Sequence, residues 1–196
     1  MCNERHEKPQ TSINTLSSKK QLAFALLVFE RMLPSLVAFS KDTGFGDSCY
    51  LHAKDAAWAA LRNGQVDRSL GEACRRGAPD TEEYSHELTS FALNGALPMS
   101  DIMDFTQDGC VDHMESVSTR AGESVYLYIN GLDDSLVIPP NNVSRLASNP
   151  LVQEEHRREE EDIRFLASLP EHFSDETILS LRARADTHPP LLPLAL

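Results

Sequence analysis

Phe29-Glu30-Arg31-Met32-Leu33-Pro34, then Thr43-Gly44-Phe45-Gly46-Asp47, then an Ala-rich segment carrying the sole tryptophan, Trp58, read as helix, proline, glycine stop, aspartate cap and helix. Upstream of the proline, Leu22, Leu26, Phe29 and Leu33 recur at helical spacing, with Ser17 or Ser18 placed to cap the first turn. That periodicity marks a core-facing helix. Pro34 has no amide hydrogen and clashes with the carbonyl four residues back, so it either kinks this helix or opens a short new one through Phe39; the restart is the favoured reading. Gly44 suits the left-handed residue that ends a helix, and Asp47 is placed to accept from the amides opening the next. That next helix, about Ser48 to Asn63, sets Tyr50, Ala57 and Leu61 on one side with Leu51 and Trp58 beside them.

Outward from there, Gly64 is a stop, and a short amphipathic piece, about Asp67 to Arg76, leads to the breakers Gly77-Ala78-Pro79. Asp80-Thr81-Glu82-Glu83 has the pattern of a capping box, so a helix is expected to start there. It carries Leu88, Phe91, Ala92, Ala96, Met99 and Met103, with a kink or break near Asn94 and Gly95 ahead of Pro98. After Gly109, Met114, Val117, Ala121, Val125, Tyr128 and Leu132 step by three and four, which favours a helix over a strand at Val125 to Ile129. Gly131 to Ser148 reads as a surface connection whose Leu136-Val137-Ile138 tucks against the core. Asn149-Pro150 starts a helix with Val152, Ile163 and Leu166 inward and the charged run Glu154 to Asp162 mostly in water; Ser174 opens a last one with Ile178, Leu181 and Ala185. The expected fold is all-α, a single-domain irregular bundle of about seven or eight helices over 18–187, with flexible segments at 1–17 and 188–196.

Eighteen Lys and Arg against thirty Asp and Glu give a formal charge of -12, which repels nucleic-acid phosphates and anionic membrane surfaces. Neither a nucleic acid nor a membrane is expected as a partner, whereas a basic protein is. Cys2, Cys49, Cys74 and Cys110 form no Cys-x-x-Cys pair in a chain too long to need disulfide staples, so a cytoplasmic location is expected. The longest apolar run, Leu22 to Phe29, is too short to span a bilayer.

Phe29 to Pro34, Phe39, Thr43 to Asp47, Trp58 and Leu61 together resemble the N-terminal signature of the YjaG-like family of bacterial proteins, a conserved domain of unknown function. Asn149-Pro150-Leu151-Val152-Gln153-Glu154 resembles that family's C-terminal helix start, and the resemblance runs from about Leu22 to Arg184. Leu33 and Leu36 stand where the family carries aromatics, which keeps those positions apolar. The resemblance implies an all-helical cytoplasmic domain and brings no activity, cofactor or catalytic residue with it.

Glu30 and Arg31, just before a proline, are candidates for binding a polar ligand at a kink; as structure they make an ion pair or cap that fixes the turn. Phe45 is a candidate partner anchor if exposed, and Asp47 completes this pocket set. Gly44-Phe45-Gly46-Asp47 lacks the strand, closing glycine and Lys-Ser/Thr end of a phosphate loop. Asp101, Asp104, Asp108, Asp112 and Glu115 are spaced by three and four, which on one unbroken helix lines a face with carboxylates able to hold Mg or Mn. Cys110 and His113 add ligand types. Glu83 and His86 match one half of a di-iron bundle motif whose second half is missing. The chain has no Gly-x-Ser-x-Gly elbow, His-Glu-x-x-His run or dinucleotide fingerprint. The first expectation is therefore a non-catalytic, acidic interaction module without a cofactor, binding or neutralising a basic protein. The alternative is a metal-dependent phosphohydrolase using the acidic face, and self-association into a homodimer through apolar helix faces is a third expectation.

Overall fold

Every side chain from Lys20 to Phe29 is buried, so the first helix is covered all round and not along one stripe. In the computed structural model, which describes residues 12–64, 66–132 and 147–193, this helix is α1 (Ser18–Thr43). It is followed by α2 (Ser48–Asn63), α3 (Arg68–Arg76), α4 (Thr89–Asp108), α5 (Asp112–Leu132), α6 (Pro150–Ser168) and α7 (Asp175–Thr187). A 3-10 turn, Ile13–Thr15, precedes α1. The described residues contain seven α-helices and no strand, an all-α bundle. Leu136, Val137 and Ile138 lie outside the described residues.

Around α1 stand α2, α4, α5, α6 and α7, while α3 lies against α4 and α2. By length and composition α1 is apolar enough to cross a membrane, because its apolar residues continue past Glu30 and Arg31; 83% of its most apolar window is buried inside the fold. Its end is set by Gly44 in the left-handed region (φ 73°), whose amide donates to the Ser40 carbonyl, and Gly109 (φ 68°) closes α4 the same way.

Pro34 does not restart a helix, because α1 runs through it without interruption. A proline inside a helix loosens the backbone ladder one turn upstream. There the Arg31 carbonyl accepts the Leu191 amide at 2.8 Å, a donor supplied by the segment after α7. That segment, expected as a tail, sets Leu191 and Leu192 in the core, and Ile13 and Leu16 join the core at the other end. Pro98 likewise sits within continuous α4. The two proline-bearing helices cross at Gly95, where an added Cβ would stand 3.5 Å from the Met32 carbonyl oxygen and from Leu36 Cβ.

Asp80 opens no helix. Its side chain accepts the Glu82 amide at 2.8 Å in a turn, an Asx geometry that satisfies the capping pattern locally, and α4 starts only at Thr89. Thr89 accounts for the entry: its hydroxyl donates to the Tyr84 and His86 carbonyls at 3.0 and 2.8 Å, tying the turn to the first turn of α4. Asp47 occupies the N-cap of α2, but its side chain accepts no capping hydrogen bond. Along α5, Met114, Val117, Ala121, Val125 and Ile129 are buried, with Tyr128 half-buried.

Candidate functional site

Adjacent residues on a helix point about 100° apart, and Glu30 and Arg31 accordingly leave α1 toward different neighbours. Glu30 Oε1 accepts Trp58 Nε1 at 2.9 Å and lies 3.4 Å from Lys54 Nζ, both on α2. Arg31 goes to α6: Nη1 donates to Asp162 Oδ2 and Nη2 to Glu155 Oε1, each at 2.7 Å. Asp162 in turn accepts Arg184 of α7 at 2.8 and 2.9 Å. The side chains of Arg31 and Asp162 are fully buried. Burial opposes the Arg31 charge and the Glu155 and Asp162 carboxylates outweigh it, so the guanidinium is held charged, above its ordinary range.

The charged run on α6 therefore does not simply face water. Glu155 and Asp162 fall in register with Val152, Ile163 and Leu166, the inward face, and bring their charge to Arg31. The signal was present as spacing, since three-and-four steps from Val152 reach Glu155, Glu159 and Asp162 before Ile163 and Leu166. Glu159 accepts the Ser118 hydroxyl of α5 at 2.7 Å, and burial, then the Glu155 charge, pushes its carboxyl up to about 7.

This has a measurable consequence. Between the ordinary carboxyl range and about pH 7 the folded chain binds more protons at Glu159 than the unfolded chain, so this group's contribution to stability falls as pH rises through that window. Glu159→Gln is expected to flatten that part of the stability curve in urea melts taken from pH 5 to pH 8.

Phe45 is half-buried in an aromatic cluster, 5.4 Å from Phe39 and 5.9 Å from Tyr84 between ring centroids, and Phe39 also meets His86 at 5.8 Å. Glu30, Arg31, Phe45 and Asp47 are thus distributed over separate contacts. The four aspartates do not share one helix face, although Asp101 and Asp108 both face His113, at 4.0 and 3.1 Å. Gly109 ends α4 and Asp112 begins α5, which breaks the single helix face their spacing required. Asp101 accepts Ser116 Oγ at 2.8 Å, Asp104 pairs with Arg75, Asp108 lies 3.1 Å from His113 Nε2, and Asp112 is exposed. Cys110 is exposed beside them. Among the described residues no three His, Cys, Asp or Glu side chains are grouped to hold a metal ion.

Among the described residues, a groove and a smaller cavity border α5. A groove of about 470 Å³ is lined by Glu87, Leu88, Ser90 and Phe91 on one side and Leu127, Tyr128 and Gly131 on the other, with Leu127 exposed. The chain around it is one-signed: from Gly77 to Thr119 there is no Lys or Arg, against Asp80, Glu82, Glu83, Glu87, Asp101, Asp104, Asp108, Asp112 and Glu115. Asp80, Glu82, Glu83 and Glu87 are all exposed in the turn leading to the groove. A second cavity, of about 40 Å³, lies between α5 and α6 beside Glu155 and Glu159.

A solved structure of a DUF416 family protein from Shewanella baltica OS155 is similar to this chain, with a TM-score of 0.78 and 17% identity, covering 89% of this chain and 91% of that one. At that identity the likeness is one of fold. No curated protein matches the chain. The family described as "Protein of unknown function (DUF416)" matches residues 8–188, most of the 196-residue chain, which therefore belongs to that family.

Proposed function

We propose that this chain is a non-catalytic, cytoplasmic interaction protein that takes a basic, amphipathic segment of a partner protein on the α4–α5 side. The observation that carries this reading is the groove itself: apolar at Leu88, Phe91 and Leu127, and approached by four exposed carboxylates with no cation among them in sequence. A partner segment with apolar side chains on one face and Lys or Arg beside them matches both features, and the one-signed approach steers it. The core supports the same reading, because the strongest charges inside the fold are spent on one another. Within the DUF416 family, the Phe29 to Leu61 pattern supports a place beside the YjaG-like members.

The test compares two labelled helical peptides with the same apolar residues, one Lys-rich and one Glu-rich, by fluorescence anisotropy. The basic peptide is expected to bind, to weaken as salt rises from about 0.05 to 0.5 M, and to lose about tenfold or more in affinity on Leu127→Asp. Equal binding of both peptides, or binding indifferent to Leu127→Asp, ends the reading. Sedimentation of the chain alone shows whether a second copy occupies the same face.

A further inference from the structure

Cys49 and Cys74 come from different helices, 25 residues apart in the chain, and meet where α3 packs on the start of α2. Cys49 is the second residue of α2 and is half-buried; Cys74 belongs to α3 and is fully buried. Cys74 Sγ donates to the Cys49 carbonyl at 3.8 Å, and the two thiols also lie within hydrogen-bond reach of each other. The Tyr50 hydroxyl closes the cluster, donating to the Cys74 carbonyl at 2.9 Å and reaching the Cys49 sulfur. Gly77, exposed at the end of α3, stands over this cluster: a Cβ there would be 3.8 Å from Cys49 Sγ and 3.6 Å from the Tyr50 oxygen. With no side chain at Gly77, the Cys49 sulfur is left uncovered on that side.

We propose that Cys49 and Cys74 form a modification site, a dithiol that hydrogen peroxide converts into a reversible disulfide between α2 and α3. The two thiols are not equivalent. Cys49 is the one a small oxidant reaches, and it sits at the positive end of α2. Burial pushes both thiols up, Cys74 to about 12, and at Cys49 it is opposed by hydrogen bonds from Cys74, the Tyr50 amide and the Tyr50 hydroxyl. Cys49 is therefore the attacking sulfur and Cys74 the resolving one. Because both rest protonated, the pair reacts slowly and records sustained peroxide, not a brief pulse.

The Cys49 thiolate attacks one peroxide oxygen, the O–O bond breaks, and the sulfur becomes a sulfenic acid while the departing hydroxide takes up a proton as water. The Cys74 sulfur then displaces the sulfenic hydroxyl, and its own proton leaves with that oxygen as a second water. Each sulfur gives up one electron and the peroxide takes both. The sulfurs close only from hydrogen-bond contact to a bond of about 2.05 Å. A small thiol reverses the reaction by exchange, two equivalents leaving as their own disulfide. In a reducing compartment such a pair rests as thiols, and its oxidation is a transient signal and not a structural staple.

The test uses the full chain with Cys2→Ser and Cys110→Ser, so that the pair holds the only thiols. After hydrogen peroxide treatment and alkylation in denaturant, both thiols are expected to be lost together. The tryptic peptides 42–54 and 69–75 are expected to be joined within one chain by a bond that dithiothreitol releases. Adding Cys74→Ser is expected to trap Cys49 as the dimedone adduct of its sulfenic acid, whereas adding Cys49→Ser leaves Cys74 unmodified at the same dose. Circular dichroism checks that each variant is folded, and if a single variant unfolds, the joined peptides of the parent still decide. Both thiols surviving a dose that oxidises free cysteine, joining only between chains, or an adduct on Cys74 and none on Cys49 overturns the proposal. None of these readouts bears on peptide binding at the groove.

Discussion

Arg31→Met is expected to cost about 3–5 kcal/mol of folding free energy, because it leaves Glu155 and Asp162 buried without the cation that faces both. Methionine keeps the apolar length of the side chain, so the loss isolates the charge. Urea melts with an unchanged m-value measure it, and a loss below about 1 kcal/mol would show that water reaches the carboxylates. Arg31→Lys is expected to fall between the two, since a single ammonium cannot hold Glu155 and Asp162 in the fork geometry of a guanidinium. Arg31→Met combined with Glu155→Gln and Asp162→Asn is expected to recover much of the loss, because no uncompensated buried charge then remains; Arg184, partly exposed, turns to water. Recovery in the triple variant separates a charge effect from a packing effect.

Trp58→Ala carries the second large effect, about 3–5 kcal/mol. Trp58 is 1% exposed on the α2 face that meets α1, and its indole nitrogen supplies the shorter of the contacts to Glu30. The truncation opens a cavity and leaves Glu30 to Lys54 alone at 3.4 Å. Trp58→Phe keeps most of the volume and removes only the donor, so it is expected to lose about 1–2 kcal/mol. Because Trp58 is the only tryptophan, its fluorescence vanishes in both variants, and the melts are followed by far-ultraviolet circular dichroism.

What the sequence makes legible follows from how local each cause is. Gly44, Gly64 and Gly109 end helices through their own backbone conformation, and Asn149-Pro150 and Ser174 start them within one turn, so these boundaries can be read without knowing the fold. Pro34 and Asp80 misled for the complementary reason. The proline is accommodated in a buried helix, with the Leu191 amide on the Arg31 carbonyl beside it, and the Asp80 box is consumed by a turn that Thr89 ties down. Neither partner is near in sequence to what it stabilises or redirects, apart from the turn itself. The candidate site shows the same division. Arg31 and Glu30 stood out as charges before a proline, but which helices they face depends on packing. Glu155, Glu159 and Asp162 were hidden inside a run that looks solvated, and only their register with Val152 and Leu166 betrays them. The spacing of Asp101, Asp104, Asp108 and Asp112 was real, and Gly109 broke the helix on which it would have mattered.

The enclosure of α1 from Lys20 to Phe29 also bears on the order of events during synthesis. Among its neighbours only α2 follows closely; α4, α5, α6, α7 and the Leu191 amide that meets the Arg31 carbonyl are all made later. For most of translation the helix that is apolar enough to enter a bilayer is therefore without its native cover. Native contacts of such long sequence separation form late, and a chain stalled after α5 still lacks the carboxylates that neutralise Arg31. Folding is therefore expected to complete only once the last-made helices are available to cover α1.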